Sequence, residues 1–88
     1  MPPAAVPLRL LLFATARTAV GVPRLDWPVP AEGRSADLLL ADVVRQYPAL
    51  RRILRGSRLF LNGEPLADPA ARVGPGDELA VHPPYGGG

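Results

Sequence analysis

Gly74-Pro75-Gly76-Asp77-Glu78-Leu79-Ala80-Val81-His82-Pro83-Pro84-Tyr85-Gly86-Gly87-Gly88 is the stretch on which the fold turns. Gly74 to Asp77 has the composition of a tight turn, in which Pro presets its own φ and Gly supplies angles other residues avoid. Glu78 to His82 then places Leu79 and Val81 on one face and reads as a strand. Pro83-Pro84 lacks the amide donors that strand pairing requires, so the strand stops and the chain leaves in a stiff polyproline conformation. Three glycines close the sequence.

A strand of this kind needs a neighbour. The densest apolar run, Leu8-Arg9-Leu10-Leu11-Leu12-Phe13, reads as a strand buried on both faces. Ala14 to Val20 has the propensity for a short helix that stops at Gly21. Leu25, Trp27 and Val29 alternate with Arg24, Asp26 and Pro28, a strand that Pro28 assigns to a sheet edge. Ser35 fits an N-cap, with Asp37 favourably placed in the first turn. Ala36, Leu39, Leu40, Val43, Val44 and Tyr47 then fall on one helical stripe, opposite Asp37, Asp42, Arg45 and Gln46. Pro48 closes that helix. Leu50, Ile53 and Leu54 suggest a further turn with Arg51, Arg52 and Arg55 toward water. Arg58-Leu59-Phe60-Leu61 reads as a strand entering an Asn62-Gly63 turn, Leu66 resumes extended chain, and Pro69 to Val73 is irregular. This order predicts an α+β fold: a sheet with one main helix packed across one face. A right-handed crossover would set the first and last strands side by side and parallel.

The chain has 88 residues, enough for one small domain over residues 8–84, with 1–7 as a disordered lead and 85–88 as a flexible tail. It has no cysteine, which excludes disulfides, thiolate metal sites and a cysteine nucleophile. The longest near-continuous apolar run, Leu10 to Ala16, is far short of a membrane span. The proline-broken start lacks the basic region of a secretory signal, so the expected location is cytoplasmic. The ten basic residues are all Arg against eight acids, a net charge of +2 that argues against a nucleic-acid partner.

Catalytic side chains are scarce. His82 is the lone histidine, Ser35 and Ser57 have no histidine near them in sequence, and the acids are scattered singly with no metal-ligand cluster. Gly74-Pro75-Gly76 does not precede a helix and fails as a phosphate cradle. The chain is not expected to be an enzyme alone. Arg51, Arg52, Arg55 and Arg58 form the one charge cluster, which is either a solvated face or a dock for an acidic partner. If Leu8, Leu10 and Leu12 face the helix, then Leu11, Phe13, Ala80 and Phe60 form an apolar patch on the outer face, marking a protein interface unless a loop covers it. Tyr85-Gly86-Gly87-Gly88 is either a frayed end or a narrow, side-chain-free segment able to thread a tunnel and present the Gly88 carboxylate.

Together these residues resemble the MoaD-like family, the small sulfur-carrier subunit of molybdopterin synthase, with its ubiquitin-like β-grasp fold. The family's opening, a strand ending in Phe-Ala followed by Arg and Gly, is matched by Phe13-Ala14, Arg17 and Gly21. Its Gly-Asp-Glu turn is Gly76-Asp77-Glu78. Its ending of an aromatic, two prolines, two variable residues and Gly-Gly is matched by His82-Pro83-Pro84-Tyr85-Gly86-Gly87-Gly88, with His82 in place of the usual Phe. The ending is shared with carriers for thiamine, cysteine or tRNA thiolation; the Phe-Ala opening favours the molybdopterin branch.

The resemblance implies that a ubiquitin-activating-type adenylyltransferase uses ATP to adenylate Gly88, and that a sulfur donor converts it to a thiocarboxylate. Pro83, Pro84, Tyr85, Gly86 and Gly87 would carry it into the large catalytic subunit. Docking would use Leu11, Phe13, Arg17, Phe60, Leu66, Ala80 and His82. The chain itself would bind no cofactor or metal and contact no membrane. A ubiquitin-like interaction module whose tail is never activated is the reading from a different class.

Overall fold

The computed structural model describes residues 6–84. In chain order the elements are β1 (Leu8–Leu12), α1 (Ala14–Val20), β2 (Arg24–Trp27), β3 (Arg34–Ser35), α2 (Ala36–Gln46), α3 (Leu50–Gly56), β4 (Arg58–Leu61), β5 (Glu64–Pro65), β6 (Arg72–Val73) and β7 (Glu78–His82). Five strands form one mixed sheet in the order β2-β1-β7-β4-β5. The first and last strands lie side by side and parallel at its centre, with Leu10 opposite Leu79 and Leu12 opposite Val81. The other pairings in this sheet are antiparallel.

Parity then sets the core. Leu8, Leu10 and Leu12 of β1 and Leu79 and Val81 of β7 point to one side, against Ala36, Leu39, Leu40 and Val43 of α2 and Leu50 of α3, all buried. Val44 and Tyr47, on the expected α2 stripe, are half-buried and pack against this core. β1 is not buried on both faces as its composition suggested. Arg9 is exposed and Leu11 half-buried, because the helices lie on one side of the sheet only. β2 takes the expected edge position, but it ends at Trp27, so Pro28 terminates the strand instead of interrupting it.

Ser35 occupies the N-cap position of α2 with extended backbone, yet its hydroxyl makes no capping hydrogen bond. The orphan amides at the helix start are satisfied from elsewhere: Ala36 N–H donates to Ala71 O at 2.9 Å and Asp37 N–H to Pro69 O at 2.9 Å. The segment read as irregular from its sequence therefore caps the main helix. It then forms β6, which pairs antiparallel with β3 in a two-residue ribbon that sequence patterning is too short to reveal. Gly33 enters this ribbon at φ +84°, and a Cβ there would sit 2.8 Å from the Val73 carbonyl oxygen, so no larger residue fits without backbone movement.

Two turns hold the start of β7. Asn62 and Gly63 both take positive φ, 51° and 85°, the pattern of a tight hairpin turn matched to strand twist. The Asn62 side chain accepts from Glu78 N–H at 2.9 Å and donates to Asp77 Oδ1 at 3.1 Å. Asp77 Oδ2 in turn accepts from Gly74 N–H at 2.8 Å. The turn before β7 is thus tied to the turn after β4, and the strand that leads to the chain's end starts from a cross-linked base.

Candidate functional site

The side of the sheet away from α2 carries the outward residues of all five strands. Register puts Arg9 beside Glu78 and Leu11 beside Ala80. It also puts Phe60 beside Ala80 and Arg58 beside His82, and Arg24 and Asp26 of β2 share this face. The face divides in two. Near the start of β7 it is ionic: Arg9 Nη2 lies 3.9 Å from Glu78 Oε1, and Arg24 Nε 3.2 Å from Asp26 Oδ1. Both pairs are well exposed and add little stability.

Near the end of β7 the face is aromatic. The Phe13 and His82 rings stack with centroids 4.3 Å apart and planes 15° from parallel, while Phe60 meets His82 edge-on at 5.0 Å and 77°. His82 is thus held between two phenylalanines, a geometry in which ring edges and faces attract. The backbone pins Phe13 from two directions. Its N–H donates to Val81 O at 3.3 Å, and its carbonyl accepts from Ala16 N–H at 3.0 Å and Arg17 N–H at 3.4 Å. To turn from β1 into α1 directly after it, the chain takes φ +49° at Ala14. A small side chain tolerates that angle best and a β-branched one would be strained there. Composition alone carried no signal for that turn.

The expected docking residues do not all reach this surface. Phe13 is 42% exposed, His82 is exposed, and Leu11 and Phe60 are half-buried. Ala80 is 6% exposed, because it sits between Leu11 and Phe60 on adjacent strands and its methyl group lies beneath them. Leu66 is on the opposite side: its N–H donates to Leu59 O at 2.8 Å, which sets it opposite an inward residue, and it packs on the core. Pro65, one residue earlier, is paired with Phe60 on the outer face and is exposed. Arg17 is exposed on α1, and its carbonyl accepts the Gly21 N–H at 2.8 Å where the helix stops.

β7 runs from this aromatic end into Pro83 and Pro84. A Cβ built on Gly56, at the end of α3, would lie 3.2 Å from Pro84 Cγ, so the glycine gives the proline room to lie against the helix end. Gly56, Arg58, His82, Pro83 and Pro84 line a surface hollow at this exit. Tyr85, Gly86, Gly87 and Gly88 lie outside the described residues, as do the first five residues of the expected lead. Among the described residues no group of three or more His, Cys, Asp or Glu could hold a metal ion, and no helix is long and apolar enough to cross a membrane.

Residues 10–88 match the model of the ThiS family. The chain belongs to the ThiS family. A relative of known function, the molybdopterin synthase sulfur carrier subunit of Arabidopsis thaliana, is 39% identical over 83 residues, covering 94% of this chain and 84% of that protein. The crystal structure of SAMP1 from Haloferax volcanii superposes with a TM-score of 0.78 at 27% identity, covering 92% of this chain and 98% of that one. The solution structure of small archaeal modifier protein 1 from Methanosarcina acetivorans has a TM-score of 0.77 at 23% identity, covering 98% of this chain and 100% of that one, and shares the fold. This ThiS-family chain is therefore a ubiquitin-like β-grasp protein of the ThiS/MoaD sulfur-carrier type.

Proposed function

We propose that this ThiS-family protein is the small subunit of a molybdopterin synthase and carries sulfur on Gly88. The 39% identity to the Arabidopsis subunit over nearly the whole chain supports this reading above all. The Gly88 carboxylate is a poor electrophile, so a ubiquitin-activating-type adenylyltransferase first joins it to the α-phosphate of ATP, with pyrophosphate leaving. A persulfide donor then displaces AMP, and a second thiol cleaves the resulting acyl disulfide by thiol–disulfide exchange, leaving a Gly88 thiocarboxylate and a disulfide between that thiol and the donor. The tail enters the large catalytic subunit and delivers that sulfur to a pterin precursor. This chain's own contribution is positional. The Phe13–His82–Phe60 cluster supplies a preformed apolar contact at the root of the tail, and the two prolines limit the directions in which the tail leaves.

Intact-mass measurement after incubation with ATP, the cognate adenylyltransferase and a persulfide donor tests the carrier chemistry. The expected product has one oxygen replaced by sulfur, and an unchanged mass would remove the carrier role. Co-purification with the pterin-processing large subunit separates molybdopterin synthesis from the alternative, a carrier or modifier of the same fold in another pathway. Likeness to SAMP1 favours that alternative as the second reading. With no lysine, the chain would not build lysine-linked polymers of itself.

Phe13→Arg replaces one flank of the aromatic cluster with a charge. It is expected to weaken large-subunit binding by about tenfold or more. The melting temperature should change little, because Phe13 lies outside the buried core. Equal titration curves for the variant and the parent protein would show that the partner docks elsewhere.

A further inference from the structure

The arginines divide into two populations. Arg9, Arg24, Arg34 and Arg45 each lie within 4 Å of a carboxylate, and Arg72 Nη1 donates to Gly33 O at 3.1 Å. Among the described residues, Arg17, Arg51, Arg52, Arg55 and Arg58 have no such ion pair. Four of these five fall within residues 51–58, inside the acid-free stretch 43–63. Asp42, the nearest preceding acid, is already engaged by both Arg34 and Arg45.

The arrangement is locally unfavourable to the free domain. Arg51 and Arg55 are four apart on α3 and Arg52 and Arg55 three apart, spacings at which like charges repel. Arg51 and Arg52 also stand in the first turn of α3, where the helix end is positive and no acid is present. With Pro48 and Ala49, Arg51, Arg52 and Arg55 line one surface hollow. A second hollow, containing Arg58, His82, Pro83 and Pro84, begins at Gly56, the residue after Arg55. In chain order the exposed arginines thus run from the hollow on α3 to the hollow at the root of the tail.

We infer that the arginine face of α3, continued through Arg58 to the tail root, docks a carboxylate-rich surface on the protein that receives the tail. Partner carboxylates would relieve the repulsion among these arginines, and Arg pairs with carboxylates through two parallel hydrogen bonds. A protein fits better than a nucleic acid. The net charge is only +2, and no aromatic side chain interrupts the arginines within α3 on which bases would stack. The identity of the partner rests on the sulfur-carrier reading; the sign of its surface does not.

The test uses the full chain and the cognate large catalytic subunit, with affinity measured at low and at moderate salt. Arg51→Glu with Arg52→Glu is expected to lower affinity by about tenfold or more and to flatten the salt dependence. The same pair should leave the melting temperature unchanged or raise it, since it removes repulsion and puts acids in the first turn. Affinity and salt dependence equal to those of the parent protein would overturn the inference. If the large subunit binds neither protein, the molybdopterin assignment fails and a second titration decides the surface alone. Amide shifts on α3 induced by hexaglutamate, and lost in the double variant, would support an acidic partner. No shifts, or tighter binding of hexathymidylate than of hexaglutamate, would overturn it.

Discussion

Deleting Gly88, or appending a single residue after it, is expected to abolish thiocarboxylate formation while leaving the fold intact. The proposed chemistry acts on the carboxyl group of Gly88. One added residue moves the terminal carboxyl by up to about 3.5 Å. A misplacement of about 1 Å from the attack geometry is already enough to cost about a hundredfold in rate. The loss should therefore exceed a hundredfold, approaching the detection limit of intact-mass measurement. Stability should not follow, because among the described residues the buried core runs from Leu8 to Val81. A one-residue extension that still acquired sulfur at the parent rate would rule out Gly88 as the carrier position.

Leu10→Ala is expected to have the opposite profile, with the tail unaltered and the domain strongly destabilised. Leu10 is fully buried and lies opposite the equally buried Leu79 on the parallel β1–β7 pair at the centre of the sheet. Removing a buried leucine side chain costs about 3–5 kcal/mol where neighbours cannot collapse into the space. Neighbours on two paired strands and a crossing helix have little freedom to do so. A domain of this size has on the order of 5–10 kcal/mol of stability in total, so the variant should lose about a third of it or more and melt at a clearly lower temperature. Chemical denaturation checks this, and a loss below about 1 kcal/mol would show that the sheet centre repacks. Phe13→Arg and Leu10→Ala together separate docking from folding, since the two residues belong to opposite faces of the sheet.

The aromatic end of the outer face shows how far the sequence carried. Alternation identified Leu11, Phe13, Ala80 and Phe60 as neighbours on one face, and the strand registers place them there beside His82. Alternation assigns a side but no depth. Ala80 is covered because its neighbours on both adjacent strands are larger, and that follows from register across β1, β7 and β4. Leu66, which only the resemblance placed among the docking residues, packs on the inner side while neighbouring Pro65 faces outward, because a two-residue turn fixes hairpin register and register decides which face each following residue takes. The stacking of His82 between Phe13 and Phe60 joins residues 22 to 69 positions apart in the chain, beyond the reach of local pattern.

The same division explains the start of α2. Ser35 has the side chain of a cap, and local propensity favours it there. Its hydroxyl is left out of the capping because the carbonyls of Pro69 and Ala71 reach the first helical amides. Only a folded chain brings those groups together.

By itself the sequence determined what depends on near neighbours: the boundaries of β7, the stripe of α2, the Asn62-Gly63 turn and the glycine ending. Each follows from side-chain period, backbone freedom or a missing amide within a few residues. The tertiary structure decided what depends on groups distant in sequence: the β3–β6 ribbon, the depth of Ala80, the side of Leu66 and the room Gly56 leaves for Pro84. It also decided which arginines find carboxylates among the described residues. Ion pairs and burial are set by distances across the fold, and those distances exist only once β1 and β7 have closed the sheet.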